Sequence, residues 1–400
     1  MNFSEGPFQV EVYNSIAPVK SDWDEFHLHE SWLRSDLLAA LEIANPPDMQ
    51  FRYAMIRKDG NVVACAYLQL VSFSRKNFSD NGPPLILPAL KLFFAIKKVR
   101  LLFCGNLFRV DFPCLHLNEK YISFNQALLI IKKIGENEKS MLIMMKEMNL
   151  PPEKTNELKK QGFRKYEEDL TMSLELDGRW KSFQDYCHSL TKKYRKRLLI
   201  IRNAKAPLVQ KKLNRDEIRK LLPVIGELFN QTASRQFLKM GLIDENYFTA
   251  MSDAYGENFF INGYFLEDRL VSFASHLIHD QMLEVHYIGI DYSFNEKYSL
   301  YFNILYDGLE MSIAMKKKIL ELGRTAREAK ASVGCKPVPS YDYLFVRNRF
   351  INFLVRVFEN IFLDKMGDEW KNRNPFKEST TYELQSTTIT NDIKLPTATG

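Results

Sequence analysis

The chain has 400 residues, 46% apolar and 13% aromatic, which is more than one ordinary core needs and enough for two domains. Lysine and arginine number 55 against 49 acidic residues; a formal charge of +6 excludes a histone-like polycation and directs attention to where charge clusters. Cys65, Cys104, Cys114, Cys187 and Cys335 lie far apart without a CxxC pair, so neither a disulfide framework nor a zinc site is indicated, and reduced thiols in a cytoplasmic protein are expected.

The first residues lack the basic and apolar regions of a secretory signal. The longest apolar run, 85–96, is interrupted by Pro88 and Lys91 and falls short of the roughly 20 residues a spanning helix needs, so no transmembrane segment is expected. Strand signals at 8–13, 51–56 and 62–73 surround a helix at 31–44, and the Lys-Asp-Gly turn at 58–60 marks a hairpin. An apolar helix at 84–99, strands at 101–104 and 140–145, helices at 124–134 and 152–161 and a strand at 170–176 close the first half. The second half restarts with helix 180–203, strand 208–212, helices 215–230 and 245–254, strands 259–266, 270–278 and 282–290, a long helix at 299–315 and strand 318–322. The order strand, long hairpin, strand, helix, strand thus occurs twice, which predicts an α/β fold with mixed sheet built from two copies of one unit joined near Asp177 and Gly178. The expected domains are 1–178 and 179–373. From Asn374 the chain is rich in Thr, Ser, Asn and Pro, a composition that does not offset its ordering entropy, and a disordered tail over 374–400 is expected.

Four strings in the second half stand out: SLTKKYRKRL at 189–198, HYIGIDY at 286–292, KYSLYFN at 297–303 and LGRT at 322–325, with Glu328 to Lys330 just beyond. On these the chain resembles the GNAT superfamily of N-acyltransferases, and more narrowly its tandem-domain FemAB-like branch, which includes proteins of peptidoglycan biosynthesis or recognition. The resemblance covers about 180–347 and reaches the first half only through element order. It implies tandem GNAT-like domains, direct attack of an amine on a thioester, acyl-CoA or acyl-ACP (acyl-carrier protein) as co-substrate, no acyl-enzyme nucleophile and no metal. One departure is plain: the family's glycine-containing pyrophosphate loop reads DYSFNEKY at 291–298 here, without glycine, so the helix start at 299 is left to meet phosphates through backbone N–H groups, and an acyl-carrier protein or an aminoacyl carrier stays open as donor. Within that frame Ser299, Tyr301, Asn303, Arg324, Thr325 and Lys330 are the expected carrier-binding residues.

If residues 279–281 make the turn between strands 270–278 and 282–290, His276 faces Glu284 and Ala274 faces His286. Two imidazoles and a carboxylate then share a surface, and a histidine oriented by a carboxylate suits proton removal from an amine. His286 is the expected base, with Glu284 or His276 orienting it; a solvated sheet face with a His-Glu pair is the alternative. Tyr298 and Tyr301 flank the helix start, where a phenol protonates a departing thiolate or bonds a thioester carbonyl, unless both simply pack. Arg324, Arg327 and Lys330 suit an anionic carrier or head group, although Thr325 and Glu328 also fit a helix cap. Lys192, Lys193, Arg195, Lys196, Arg197, Arg202 and Lys205, interleaved with Tyr194, form the strongest positive block; without a nucleic-acid-binding signature, anionic lipid, a carrier protein or a phosphorylated substrate is the expected contact, through Tyr194, Arg195 and Arg197. The apolar-basic segments 85–99 and 350–362 point to contact with the inner membrane periphery and to a lipid amine of sphingoid type. FemAB-type aminoacyl transfer to cell-wall precursors, or a non-catalytic binding protein of the same fold, are the competing readings.

Overall fold

The computed structural model describes residues 1–27, 33–44, 48–78, 98–109, 114–146, 148–235, 243–348 and 373–377, with isolated positions between them. Segments 85–99 and 350–362 fall largely outside the described residues, as does the chain from 378 onward.

The first half comprises β1 (Asn2–Glu5), β2 (Phe8–Tyr13), α1 (Lys20–Phe26), α2 (Ser35–Ile43), β3 (Met49–Lys58), β4 (Asn61–Phe73), β5 (Val99–Cys104), β6 (Leu115–Leu117), α3 (Phe124–Asn137), β7 (Leu142–Met145), α4 (Pro152–Lys160) and β8 (Arg164–Glu175). The second comprises α5 (Phe183–Ser189), α6 (Lys192–Ala204), β9 (Leu208–Leu213), α7 (Arg215–Ala233), α8 (Asn246–Tyr255), β10 (Phe259–Leu266), β11 (Arg269–Ile278), β12 (Met282–Ile290), α9 (Tyr292–Tyr298), α10 (Leu300–Ala314), β13 (Ile319–Glu321), α11 (Arg327–Ala331) and β14 (Lys336–Val346). All described strands join one mixed sheet in the order β1-β2-β3-β4-β5-β7-β14-β8-β13-β12-β11-β10-β9, with β6 added beside β4.

Each half contributes one parallel pair, β5 with β7 and β12 with β13, bridged by α3 and by α9 and α10. The rest is antiparallel. Between the two pairs the halves exchange strands: β8 pairs with β13, while β14 crosses back to pair with β7 and β8. The expected repeat of strand, hairpin, strand, helix, strand is therefore present twice, and the sheet runs unbroken through the join. Local chemistry explains the matching elements. Asp59 and Gly60 both have positive φ, as the two-residue turn between β3 and β4 requires. Reciprocal capping boxes, Ser123 with Gln126 and Asn214 with Glu217, start α3 and α7.

Two helical stretches differ from expectation. The helix read at 180–203 is two helices, broken at Leu190 and Thr191, because residues 373–377 pack there: Thr191 N–H donates to Pro375 O, Lys377 N–H to Ser189 O, and Phe376 lies among Trp180 and Tyr186. A Cβ on Gly334 would collide with the Phe376 ring, so glycine admits this strap. The stretch read as a loop at 291–298 holds the helix α9, which ends where Ser299 takes a left-handed conformation before α10 begins. Among the described residues no helix is long and apolar enough to cross a membrane.

Candidate active site

Strand β12 carries Glu284 and His286, and its register differs from the simplest reading. The turn to β11 closes with His279 N–H donating to Met282 O, so Ile278 faces Leu283, not Met282, and the register slips by one. A bulge then sets His286 and Tyr287 opposite Ser275, whose hydroxyl accepts the Tyr287 N–H at 3.0 Å. A one-residue slip exchanges faces. His276 therefore faces Val285, not Glu284, and lies on the other side of the sheet, stacked on Phe260 at 4.6 Å, where burial pushes its pKa down to about 3. Its expected part beside Glu284 is excluded by this geometry.

Glu284 and His286 remain together. Glu284 Oε1 lies 2.7 Å from Nδ1 of His286, and the Tyr247 hydroxyl lies 2.6 Å from Nε2. The tautomer that satisfies both has Nδ1–H donating to the carboxylate and Nε2 accepting from the phenol. The second carboxylate oxygen accepts from Arg109 Nε at 3.1 Å and lies 3.2 Å from Nε2 of His279. All these side chains are buried. Arg109 comes from the first half, just after β5, and the neighbouring Phe108 carbonyl accepts the Tyr287 hydroxyl at 2.8 Å. Burial pushes the Glu284 carboxyl up, but Arg109, His286 and His279 overcome it and hold the group well below the usual carboxylate range. Burial raises the Tyr247 phenol well above its ordinary value and lowers His279. A charged carboxylate, an imidazole and a phenol thus form one continuous hydrogen-bonded chain. Gly289 makes room for α7, which brings the helix layer holding α8 against this face: a Cβ there would meet the Phe273 ring and the Leu228 carbonyl carbon.

A second buried acid adjoins the first. Glu321 on β13 pairs in register with Glu284, receives the Ser173 hydroxyl from β8, and accepts the Gly323 N–H at 2.8 Å. Burial pushes it up to about 7, against those two hydrogen bonds and helped by the Glu284 charge. Lys330 points inward, donating to Gly323 O at 3.1 Å, and burial lowers it to about 8. Arg324 is also largely buried, whereas Thr325 is exposed and caps nothing: the N-cap of α11 is Ala326, without a side-chain cap. The three cations expected to face an anion therefore do not act as one surface group.

The expected carrier residues divide in the same way. Asn303 is buried and structural, its amide donating to Ile201 O and Tyr298 O at 3.0 Å. Tyr298 packs in the second-half core, stacked near Phe294, and Tyr301 is largely buried beside Phe302. The helix starts are partly occupied. Asp291 accepts Ser293 N–H at the start of α9, and Asn295 Oδ1 accepts Tyr301 N–H at 3.0 Å in the first turn of α10. Backbone donors read as available to phosphate are thus reduced by the protein's own side chains. Ser299 does line an open groove of about 400 Å³ with Lys193, Lys196, Arg197, Ile200 and Phe302. Arg197 lies 4.6 Å over the Phe302 ring, while Arg195 donates to Leu190 O at 3.1 Å and Tyr194 packs on the core.

A solved tandem GNAT protein from the clavulanic acid biosynthesis pathway shares this arrangement with a TM-score of 0.51 at 9% identity, over 85% of this chain and 99% of that one. The chain has the tandem GNAT fold. Two further structures match less closely: FemX, with TM-score 0.49, 13% identity and coverage of 87% and 100%, and a GCN5-related N-acetyltransferase from Kribbella flavida, with TM-score 0.44, 10% identity and coverage of 86% and 72%. No protein-family model matches the chain, and no curated protein matches its sequence. Within this tandem GNAT fold the sequence reading missed Arg109, Tyr247, His279 and Glu321. Glu321 was legible in kind, as an acid in an otherwise apolar strand; Arg109 and Tyr247 reach the site only by tertiary packing.

Proposed function

We propose that this chain is an N-acyltransferase that moves an acyl group from a thioester, acyl-CoA or acyl-ACP, to an amine, with a lipid amine of sphingoid type as acceptor. The observation that carries the reading is the buried path Tyr247, His286, Glu284, anchored by Arg109 across the two halves. The amine nitrogen attacks the thioester carbonyl, a C–N bond forms, the C–S bond breaks, and the thiolate leaves. The proton shed by the amine passes to Nε2 of His286 by way of the Tyr247 hydroxyl, and the ionised Glu284 stabilises the imidazolium. Glu284 is kept ionised by Arg109, so it holds the ring rather than taking the proton itself. Glu321, neutral in the lower part of the physiological range, avoids a second negative charge beside Glu284. The lipid acceptor is supported by the apolar-basic segments 85–99 and 350–362.

The test is incubation of the purified chain with palmitoyl-CoA or a palmitoylated carrier protein and a bacterial lipid extract, following released thiol and new N-acyl lipids by mass spectrometry. Thiol release coupled to an N-acyl lipid, abolished in His286→Ala, is expected. Acylation of cell-wall precursors in place of lipids would move the acceptor to the FemAB-type alternative, and no His286-dependent product from either donor would refute the transferase.

A further inference from the structure

We infer that the exposed face of α6 is a docking surface for an acidic carrier protein that delivers the acyl thioester; this rests on the N-acyltransferase reading. At 3.6 residues per turn, Lys192, Lys193, Lys196, Leu199 and Ile200 fall within about 120° of the helix, opposite the buried Leu198 and Ile201. Leu199 and Ile200 are 55% and 61% exposed, an unusual degree for paired aliphatics in the middle of a helix.

The basic block divides sharply. Arg202 and Lys205 are tied to Asp307, and Arg202 also to Glu310 at 2.8 Å, so they serve the fold. Lys192, Lys193, Lys196 and Arg197 have no carboxylate partner among the described residues. Unneutralised cations framing exposed aliphatics complement a partner that offers carboxylates around an apolar strip.

What selects a carrier protein is position. The same face borders the groove between α6 and Ser299, beside the start of α10. That groove lies on the α10 face of the sheet, opposite His286, and β12 runs on to Ile290 after its pairing with β13 ends at Glu284, so the space between the two strands is the route by which an acyl chain on a flexible arm reaches His286. The neighbouring helix starts are partly capped from within, by Asp291 at α9 and by Asn295 at α10, which leaves less backbone to hold the phosphates of a free nucleotide. Recognition then shifts from the nucleotide to the protein that carries the arm.

The experiment titrates the full chain with palmitoylated acyl-carrier protein, with palmitoyl-CoA, and with phosphatidylglycerol vesicles, comparing wild type with Lys192→Glu/Leu199→Asp. Both substituted residues lie outside the groove lining. Carrier binding that weakens with salt and falls about tenfold or more in the double variant, whose circular dichroism is unchanged, is expected. Equal carrier affinity in both proteins would overturn the location. Binding to vesicles without binding to the carrier would assign the face to a membrane, and palmitoyl-CoA binding without carrier binding would overturn the inference while leaving the transferase reading intact. That reading fails separately, through the absence of His286-dependent product from either donor.

Discussion

The two parallel strand pairs occupy equivalent places in the two halves and carry opposite contents. In the first half, Leu101 to Cys104 pair with Leu142 to Met145, and all eight side chains are apolar or thiol. In the second half the paired stretch is three residues long and ends on Glu284 beside Glu321, after which β12 bulges and presents His286. One unit is filled with hydrocarbon and stabilises the sheet; its copy holds two buried acids and an imidazole, an arrangement that costs stability unless each charge has a partner. The first half supplies that partner, Arg109. The apolar pair and the polar cluster thus lie in different halves, and Arg109 links them.

The contrast can be broken at its centre. His286→Ala is expected to lower turnover about 100- to 10,000-fold, the usual worth of a general base, with His286→Gln retaining the folded state and the same loss; thiol-release kinetics and thermal melts check both. Arg109→Met leaves Glu284 buried without its cation and is expected to cost about 3–5 kcal/mol in denaturant unfolding, most of it recovered in Arg109→Met/Glu284→Gln. A partner that merely decorates the surface would cost far less.

Glu321 sharpens the comparison through pH. Its folded pKa is raised from 4.5 to about 7, so its contribution to stability is fully present below about pH 4.5 and is lost as pH rises through about 7, amounting to about 3 kcal/mol. Glu321→Gln should remove that slope and melt at a higher temperature than wild type at pH 8 but not at pH 4.5. His276→Met is the smallest perturbation: on the opposite face, it should leave turnover within about twofold and stability within about 1 kcal/mol. A large loss of turnover there would contradict the register.

Much of the fold was legible because it is locally encoded. The Asp59–Gly60 turn, the capping boxes and the period-two strands around HYIGIDY specify their elements without distant help. Strand β14 was not legible: Pro337 and Pro339 disfavour a strand, and only pairing with β8 and β7 makes it one. Within the site, Glu284 and His286 were read as neighbours because they lie two apart on one strand. His276 was misplaced because the turn between β11 and β12 shifts the register by one residue without a sequence signal as strong as Asp-Gly; the bulge beyond it moves Ala274 from His286 to Ile288. Arg109, 175 residues from Glu284, is one cation among many until the sheet brings the halves together.

The most direct test compares extracts of cells that contain the wild-type protein, lack it, or carry His286→Ala in its place, by untargeted mass spectrometry of lipids and soluble amines. The account predicts an N-acylated amine present only with the wild type, and accumulation of the free amine in the other two. Identical profiles in all three, or a product that persists with His286→Ala, would contradict it.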